Sequence, residues 1–165
     1  MKVLVAVGSK YGSTRAIALK IGDELHALGF SVDVEDACDV ASVSGYEAVI
    51  VGSAVYGGLW RRDATELMKN NAEALLQRDV WMFSAGMTYF DDTHPGVDES
   101  DELSELIHPH ELKKFTGALD YDRLNMGERA MIRDLNPPVG DHRDFGEIRD
   151  WARSLGVTLR ELALA

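Results

Sequence analysis

The chain is 165 residues long, enough for one domain with a sizeable core. Its 17 Lys and Arg stand against 28 Asp and Glu, a formal net charge of −11. That balance disfavours nucleic acid and anionic membrane surfaces as partners and makes a basic protein the electrostatic complement. Cys38, the one cysteine, rules out an internal disulfide or a Cys-rich metal site, fits a reducing cytoplasm, and reads as a small buried apolar residue. The N-terminus leads directly into Val3 and no later run approaches about 18 apolar residues. The expectation is a soluble, unexported chain of the cytoplasm without stable membrane association.

Val3 to Val7 is an unbroken apolar run, as expected of a central parallel strand covered on both faces. Gly8 ends it, and Ser9, Lys10, Tyr11, Gly12, Ser13 and Thr14 follow where a helix must begin. A helix start offers free N–H groups and a positive dipole end, so this flexible, hydroxyl-rich loop suits a phosphate. An ordinary strand-to-helix turn capped by Ser13 or Thr14 would look the same. Gly8 to Ser13 satisfies neither the G-x-G-x-x-G nor the G-x-x-x-x-G-K-[ST] pattern. Ile17, Ile21, Leu25 and Leu28 then recur at helical spacing, with Gly29 where a C-terminal cap belongs. Ser31 to Asp36 alternates polar residues with Val32 and Val34 and predicts an edge strand.

Ala48 to Val51 predicts a second buried strand that gives way at Gly52 to a loop from Ser53 to Trp60. Ala64, Leu67, Met68, Ala72 and Leu75 mark a helix face. Val80 to Phe83 predicts another buried strand, followed by a loop from Ser84 to Phe90. Asp91 to Glu111 carries no Lys or Arg and eight acids: Asp91, Asp92, Asp98, Glu99, Asp101, Glu102, Glu105 and Glu111. A surface loop with one helix over Glu102 to His108 is expected there, as a docking face or simply a solvated one. Phe115 to Leu119 is the candidate fifth strand, weakened by Gly117. Leu124, Met131, Ile132 and Leu135 suggest a short helix stopped by Pro137-Pro138. Asp144 and Glu147 form a capping-box variant opening a last helix on Phe145, Ile148, Ala152 and Leu155, with Gly156 as its end. The alternation predicts an α/β three-layer sandwich in a single domain over 1–165, its five-stranded parallel sheet in the order 2-1-3-4-5 with helices on both faces.

In such a sheet the ligand crevice lies outside the carboxyl ends of the strands, where the order reverses. The loops Ser9 to Thr14, Ser53 to Trp60 and Ser84 to Phe90 should converge there. The second carries Tyr56, Gly57, Gly58 and Trp60, and the third carries Tyr89 and Phe90. Aromatic rings beside a glycine-rich backbone suit a planar heterocycle next to a phosphate. Tyr56 and Tyr89 read as stacking partners, Trp60 as a packing residue. His94, His108, His110 and His142 show no metal-ligand pattern, and no G-x-S-x-G elbow or Cys-x₅-Arg motif is present. No catalytic residue is nominated.

Ser9-x-x-Gly12-x-Thr14, followed by Ala18 and Ile21, resembles the FMN phosphate loop of the flavodoxin family, and with the other two loops the resemblance covers about residues 3 to 90. It implies a flavodoxin-like fold with FMN as cofactor. Ser9, Gly12, Ser13 and Thr14 would take the phosphate, and Tyr56 and Tyr89 would flank the flavin. Gly57 resembles the position whose peptide turns to meet the flavin N5. The cofactor-binding set so implied is Ser9, Lys10, Tyr11, Gly12, Ser13 and Thr14, then Ser53, Ala54, Val55, Tyr56, Gly57 and Gly58, then Ser84, Ala85, Gly86, Met87 and Tyr89. Phe115 to Tyr121, Arg123, Arg129, Met131 to Arg133, Asp144 and Trp151 look like the menaquinone-dependent protoporphyrinogen oxidases, a flavodoxin-like branch. Its third flavin loop is basic where this chain is acidic. The resulting expectation is an FMN-binding electron-transfer protein whose redox partner has a basic docking face. An enzyme oxidising a reduced porphyrin is the rival reading, and a cofactor-free interaction module the third.

Overall fold

The structure, a computed structural model, describes residues 1–86, 99–119, 125–127, 129–130 and 140–165. The expected helix residues Leu124, Met131, Ile132 and Leu135 lie outside them. Five long strands, β1 (Lys2–Gly8), β2 (Ser31–Asp36), β3 (Ala48–Tyr56), β5 (Asp79–Gly86) and β6 (Glu111–Thr116), line up as β2-β1-β3-β5-β6. All four neighbouring pairs are parallel. The short β4 (Leu59–Trp60) folds back antiparallel on β3. Counting the long strands alone, the order is the expected 2-1-3-4-5.

Side chains alternate across a strand, and β1 divides its apolar run accordingly. Val3, Val5 and Val7 join the core under α1 (Ser13–Ala27) and the C-terminal helix α5 (Phe145–Leu164). Leu4 and Ala6 join the core under α2 (Arg62–Asn70), α3 (Ala72–Leu76) and α4 (Glu99–Ile107). With both faces covered, no polar residue is tolerated between Val3 and Val7, all of them at most 1 % exposed. β2 is the expected edge strand, and its Val32 and Val34 pack on the first of these cores.

Several boundaries differ from the sequence reading for physical reasons. β3 and β5 run on through Ser53–Tyr56 and Ser84–Gly86, because these residues continue the parallel ladder as Ser53↔Ser84, Ala54↔Ala85 and Val55↔Gly86. β6 begins at Glu111; its Lys113 and Lys114 belong to a polar sheet edge and look like loop in sequence. Gly117 is where that strand breaks: its N–H donates to Gly86 O at 3.1 Å, and the chain then turns off to pair β7 (Ala118–Leu119) with β8 (Gly140–Asp141). The helix expected over Ala64 to Leu75 is two helices, divided at Asn71, whose side-chain amide donates to Leu67 O at 2.9 Å. α4 starts earlier than Glu102, at Glu99.

α1 ends as expected, with Gly29 at φ 98° and the Gly29 and Phe30 N–H groups donating to His26 O and Leu25 O. α5 is capped by Asp144, whose side chain accepts from Glu147 N–H at 3.0 Å. Gly156 does not end it. A Cβ there would lie 2.5 Å from Leu28 Cδ1, so the glycine permits a close crossing of α5 over the end of α1. Glu24 ties the same two helices, bonded to Lys20 at 2.8 Å and Arg153 at 3.0 Å, which together hold its carboxyl below the usual range. Cys38 is exposed, not buried: it sits in the short 3-10 turn Ala37–Asp39, where Ala37 takes the inward position. No helix among the described residues is long and apolar enough to cross a membrane.

Candidate cofactor site

The parallel register sets the carboxyl ends of the central strands side by side, Gly8 opposite Ser53 and Ser53 opposite Ser84. The segments that leave these ends therefore emerge together. Gly8 is required at its place, since a Cβ would come within 2.8 Å of Arg61 Cβ. Beyond it, the Ser9 hydroxyl accepts from Gly12 N–H at 3.1 Å and closes the loop. Gly12, at φ 87°, is the N-cap residue of α1. Neither Ser13 nor Thr14 caps the helix: they are its first two residues, and no side chain bonds to the exposed first-turn N–H groups.

This helix start is unsaturated. The first intrahelical bond is Ala16 N–H to Gly12 O, so the N–H groups of Ser13, Thr14 and Arg15 have no acceptor among the described residues. Thr14 is 2 % exposed, and its hydroxyl has no protein partner there either. No acid stands in the first turn, although acids are favoured at that end of a helix. Two guanidiniums beside it each carry a carboxylate counter-ion. Arg15 pairs with Asp36 at 2.5 Å, and Arg143 donates through Nη1 to Ser13 O at 3.1 Å. Arg143 is in turn gripped by Asp141 at 2.9 and 2.6 Å, and its guanidinium lies 5.0 Å from the Phe145 ring centroid. That grip holds the Asp141 carboxyl down at about 2. Free donors, hydroxyls and no acid are the fit a phosphate group requires.

The second segment is a tight hairpin, not an open loop. Gly57 and Gly58, at φ 58° and 81°, form the two-residue turn between Tyr56 and Leu59, which pair across it. α4 clamps the turn from outside: Glu99 N–H donates to Gly58 O at 2.8 Å, and Trp60 Nε1–H to Ser100 Oγ at 2.6 Å. Trp60 is a core residue, as expected. Tyr56 and Val55 are half-buried, and Gly57 is exposed. Ser53 is fully buried; its hydroxyl accepts from Arg61 N–H and donates to Ala54 O, so it holds the hairpin root together. In the third segment Ser84 and Ala85 are buried and Gly86 is half-buried beside Val55. Met87, Tyr89 and Phe90 lie outside the described residues.

The chain matches the flavodoxin domain over residues 4–145. It belongs to the flavodoxin domain family. The cofactor of that family is FMN. Among solved structures, the chain is similar to rubredoxin oxygen:oxidoreductase from Desulfovibrio gigas, with a TM-score of 0.69 and 14 % identity. The match takes in 99 % of this chain and 37 % of that one, so the chain spans little over a third of that protein's length. It is similar to Flavodoxin 1 from Bacillus cereus, with a TM-score of 0.61, 16 % identity and coverage of 93 % and 95 %. A cysteine-to-serine mutant of the flavodoxin from Pseudomonas aeruginosa gives 0.61, 17 %, and coverage of 97 % and 99 %. No curated protein sequence matches the chain. None of these likenesses singles out the protoporphyrinogen oxidase branch.

Arg143 and Asp141 were not among the residues the sequence pointed to. The signal was the run Asp141-His-Arg-Asp144, of which the capping pattern uses only the last residue. His110 and His142 are less free than solvated loop residues: His110 pairs with Asp79 at 2.8 Å, and the His142 backbone is pinned to Gly117 and Thr116.

Proposed function

We propose that this flavodoxin domain is an FMN-binding electron carrier that serves a protein partner with a basic docking face. FMN, when bound, supplies the one- and two-electron chemistry; the protein supplies position and charge. In this reading Ser9, Lys10, Tyr11, Gly12, Ser13 and Thr14 hold the phosphate through first-turn N–H groups and hydroxyls. The backbone of Ser53, Ala54, Val55, Gly57 and Gly58 and that of Ser84, Ala85, Gly86 and Met87 line the ring crevice, with Tyr56 and Tyr89 stacking on the ring. The observation that carries the reading is the acid-free, unsaturated first turn of α1 beside the carboxyl ends of β3 and β5.

The partner's sign follows from α4, whose Glu102 and Glu105 are exposed without an ion pair among the described residues. The same acids weigh against the porphyrin-oxidising reading, since a porphyrin's carboxylates want Arg or Lys. Titration of the apo-protein with FMN and with riboflavin, followed by flavin fluorescence, tests the cofactor assignment: FMN should bind more tightly by well over tenfold. Indifference to added FMN would leave only an interaction module. Protoporphyrinogen with menaquinone should turn over no faster than with free FMN, and faster turnover would make the chain an enzyme.

A further inference from the structure

We propose that Arg143 is a positioning residue for the cofactor phosphate, acting through the Ser13–Thr14 peptide from 130 positions away in the chain. The inference rests on the FMN reading above. Arg143 Nη1 donates to Ser13 O, the carbonyl of the peptide whose N–H is the free donor of Thr14. A charged donor on the oxygen side of a peptide polarises its N–H side, so that N–H becomes a stronger donor to an anion.

The placement is otherwise costly for α1. A guanidinium beside a helix N-terminus brings positive charge to the positive end of the dipole, and this side chain is only 18 % exposed. It is not there by slack: Asp141 grips it, its ring contact is Phe145, and β8 carries Asp141 in the antiparallel pair with β7. Thr116 Oγ1–H donates to His142 O at 2.7 Å and fixes that strand pair to the end of β6. The chain thus builds a braced cation whose free direction is the first turn of α1. An anion seated on that turn removes the conflict, and the phosphate is the anion this site takes.

The test uses the 165-residue apo-protein, titrated with FMN and with riboflavin. Riboflavin lacks the phosphate and so reports every effect of Arg143 on the hairpin or the ring crevice. Arg143→Ala should weaken FMN binding on the order of tenfold, as expected for a charge-assisted hydrogen bond, and leave riboflavin binding within about twofold. Arg143→Lys keeps the charge without the fork and should recover part of the loss. An unchanged FMN-to-riboflavin ratio in Arg143→Ala, or equal losses for both flavins, would overturn the proposal and reduce Arg143 to a staple. Should Arg143→Ala fail to fold by circular dichroism, Arg143→Lys decides alone: a wild-type ratio overturns the proposal and a lowered one supports it. A wild-type protein without FMN preference would overturn the FMN reading as well, which separates the two failures.

Discussion

Gly52→Ala should be among the most damaging single-methyl additions in this chain. Gly52 sits in β3 directly opposite Phe83 of β5, and a Cβ there would fall 2.0, 2.2 and 2.4 Å from three carbons of the Phe83 ring. Carbon atoms settle at about 3.5–4.0 Å, so the ring would have to retreat by roughly 1.5 Å. It has nowhere to go: Phe83 is fully buried, with the Phe115 and Trp151 rings 6.2 and 6.3 Å away between centroids. Overpacking of a filled core costs typically about 1–3 kcal/mol, and a rigid ring between two others belongs at the top of that range. About 3 kcal/mol corresponds to a fall in Tm of about 6–12 °C for a chain of this length. Urea and thermal denaturation of the apo-protein would measure it. Phe83→Leu added to Gly52→Ala should return space, so the double variant should be more stable than the two losses summed, by at least about 1 kcal/mol. A loss below about 0.5 kcal/mol for Gly52→Ala, the range of an ordinary surface change, would refute the packing argument.

Thr14→Ala and Ser9→Ala should each weaken FMN binding by about tenfold while sparing riboflavin, read by the same fluorescence titration; Ser9→Ala also releases Gly12 N–H. Tyr46 donates its O–H to Asp33 at 2.7 Å, which with desolvation pushes the phenol up to about 12. Its stabilisation is therefore complete below about pH 10 and lost as the pH rises through 12, so unfolding free energies of wild type and Tyr46→Phe should converge over that interval and differ at pH 7. Asp144→Ala removes the side-chain cap of α5 and should cost about 0.5–2 kcal/mol in urea denaturation. Electron delivery from the FMN-loaded protein to a basic cytochrome should slow as salt is raised past about 0.15 M, where the Debye length is about 8 Å; a salt-independent rate would make the α4 acids a solvated face.

Sequence carried the fold wherever burial on two faces left an unbroken apolar run, as in Val3 to Val7, or where a cap has fixed chemistry, as at Gly29 and Asp144. It misjudged the places where tertiary contact overrides local preference. Gly156 looks like a helix stop because nothing local reveals the Leu28 side chain pressing on it. Glu111, Lys113 and Lys114 look like loop because an edge strand needs few apolar residues. Ser53 belongs to the implied cofactor-binding set, and no local pattern reveals that its hydroxyl is engaged by Arg61 N–H and Ala54 O. The first-turn donors of α1 were legible because they are consecutive in sequence. Arg143 was not, because its tie to Ser13 exists only once the last strand pair has folded back against α1.

An acidic protein that holds an anionic cofactor poses a conflict of sign, and the structure resolves it by distance. The net charge of −11 is felt at long range, where salt screens it, and so it speaks to an approaching partner more than to a ligand in contact. In the proposed reading, what a phosphate on α1 would meet first is the dipole end of a 15-residue helix, with no acid in its first turn, and a guanidinium bonded 3.1 Å from Ser13 O. The carboxylates near this place, Asp36 and Asp141, are each bonded to a guanidinium, Arg15 and Arg143. Each acid thus spends its charge on orienting a cation. Glu102 and Glu105, without an ion pair among the described residues, stand instead on α4, whose first residue grips the glycine hairpin. In the proposed reading the guanidiniums beside α1 are each balanced by their own carboxylate, so the exposed acids of α4 are what would draw a basic partner, toward the glycine hairpin that α4 clamps.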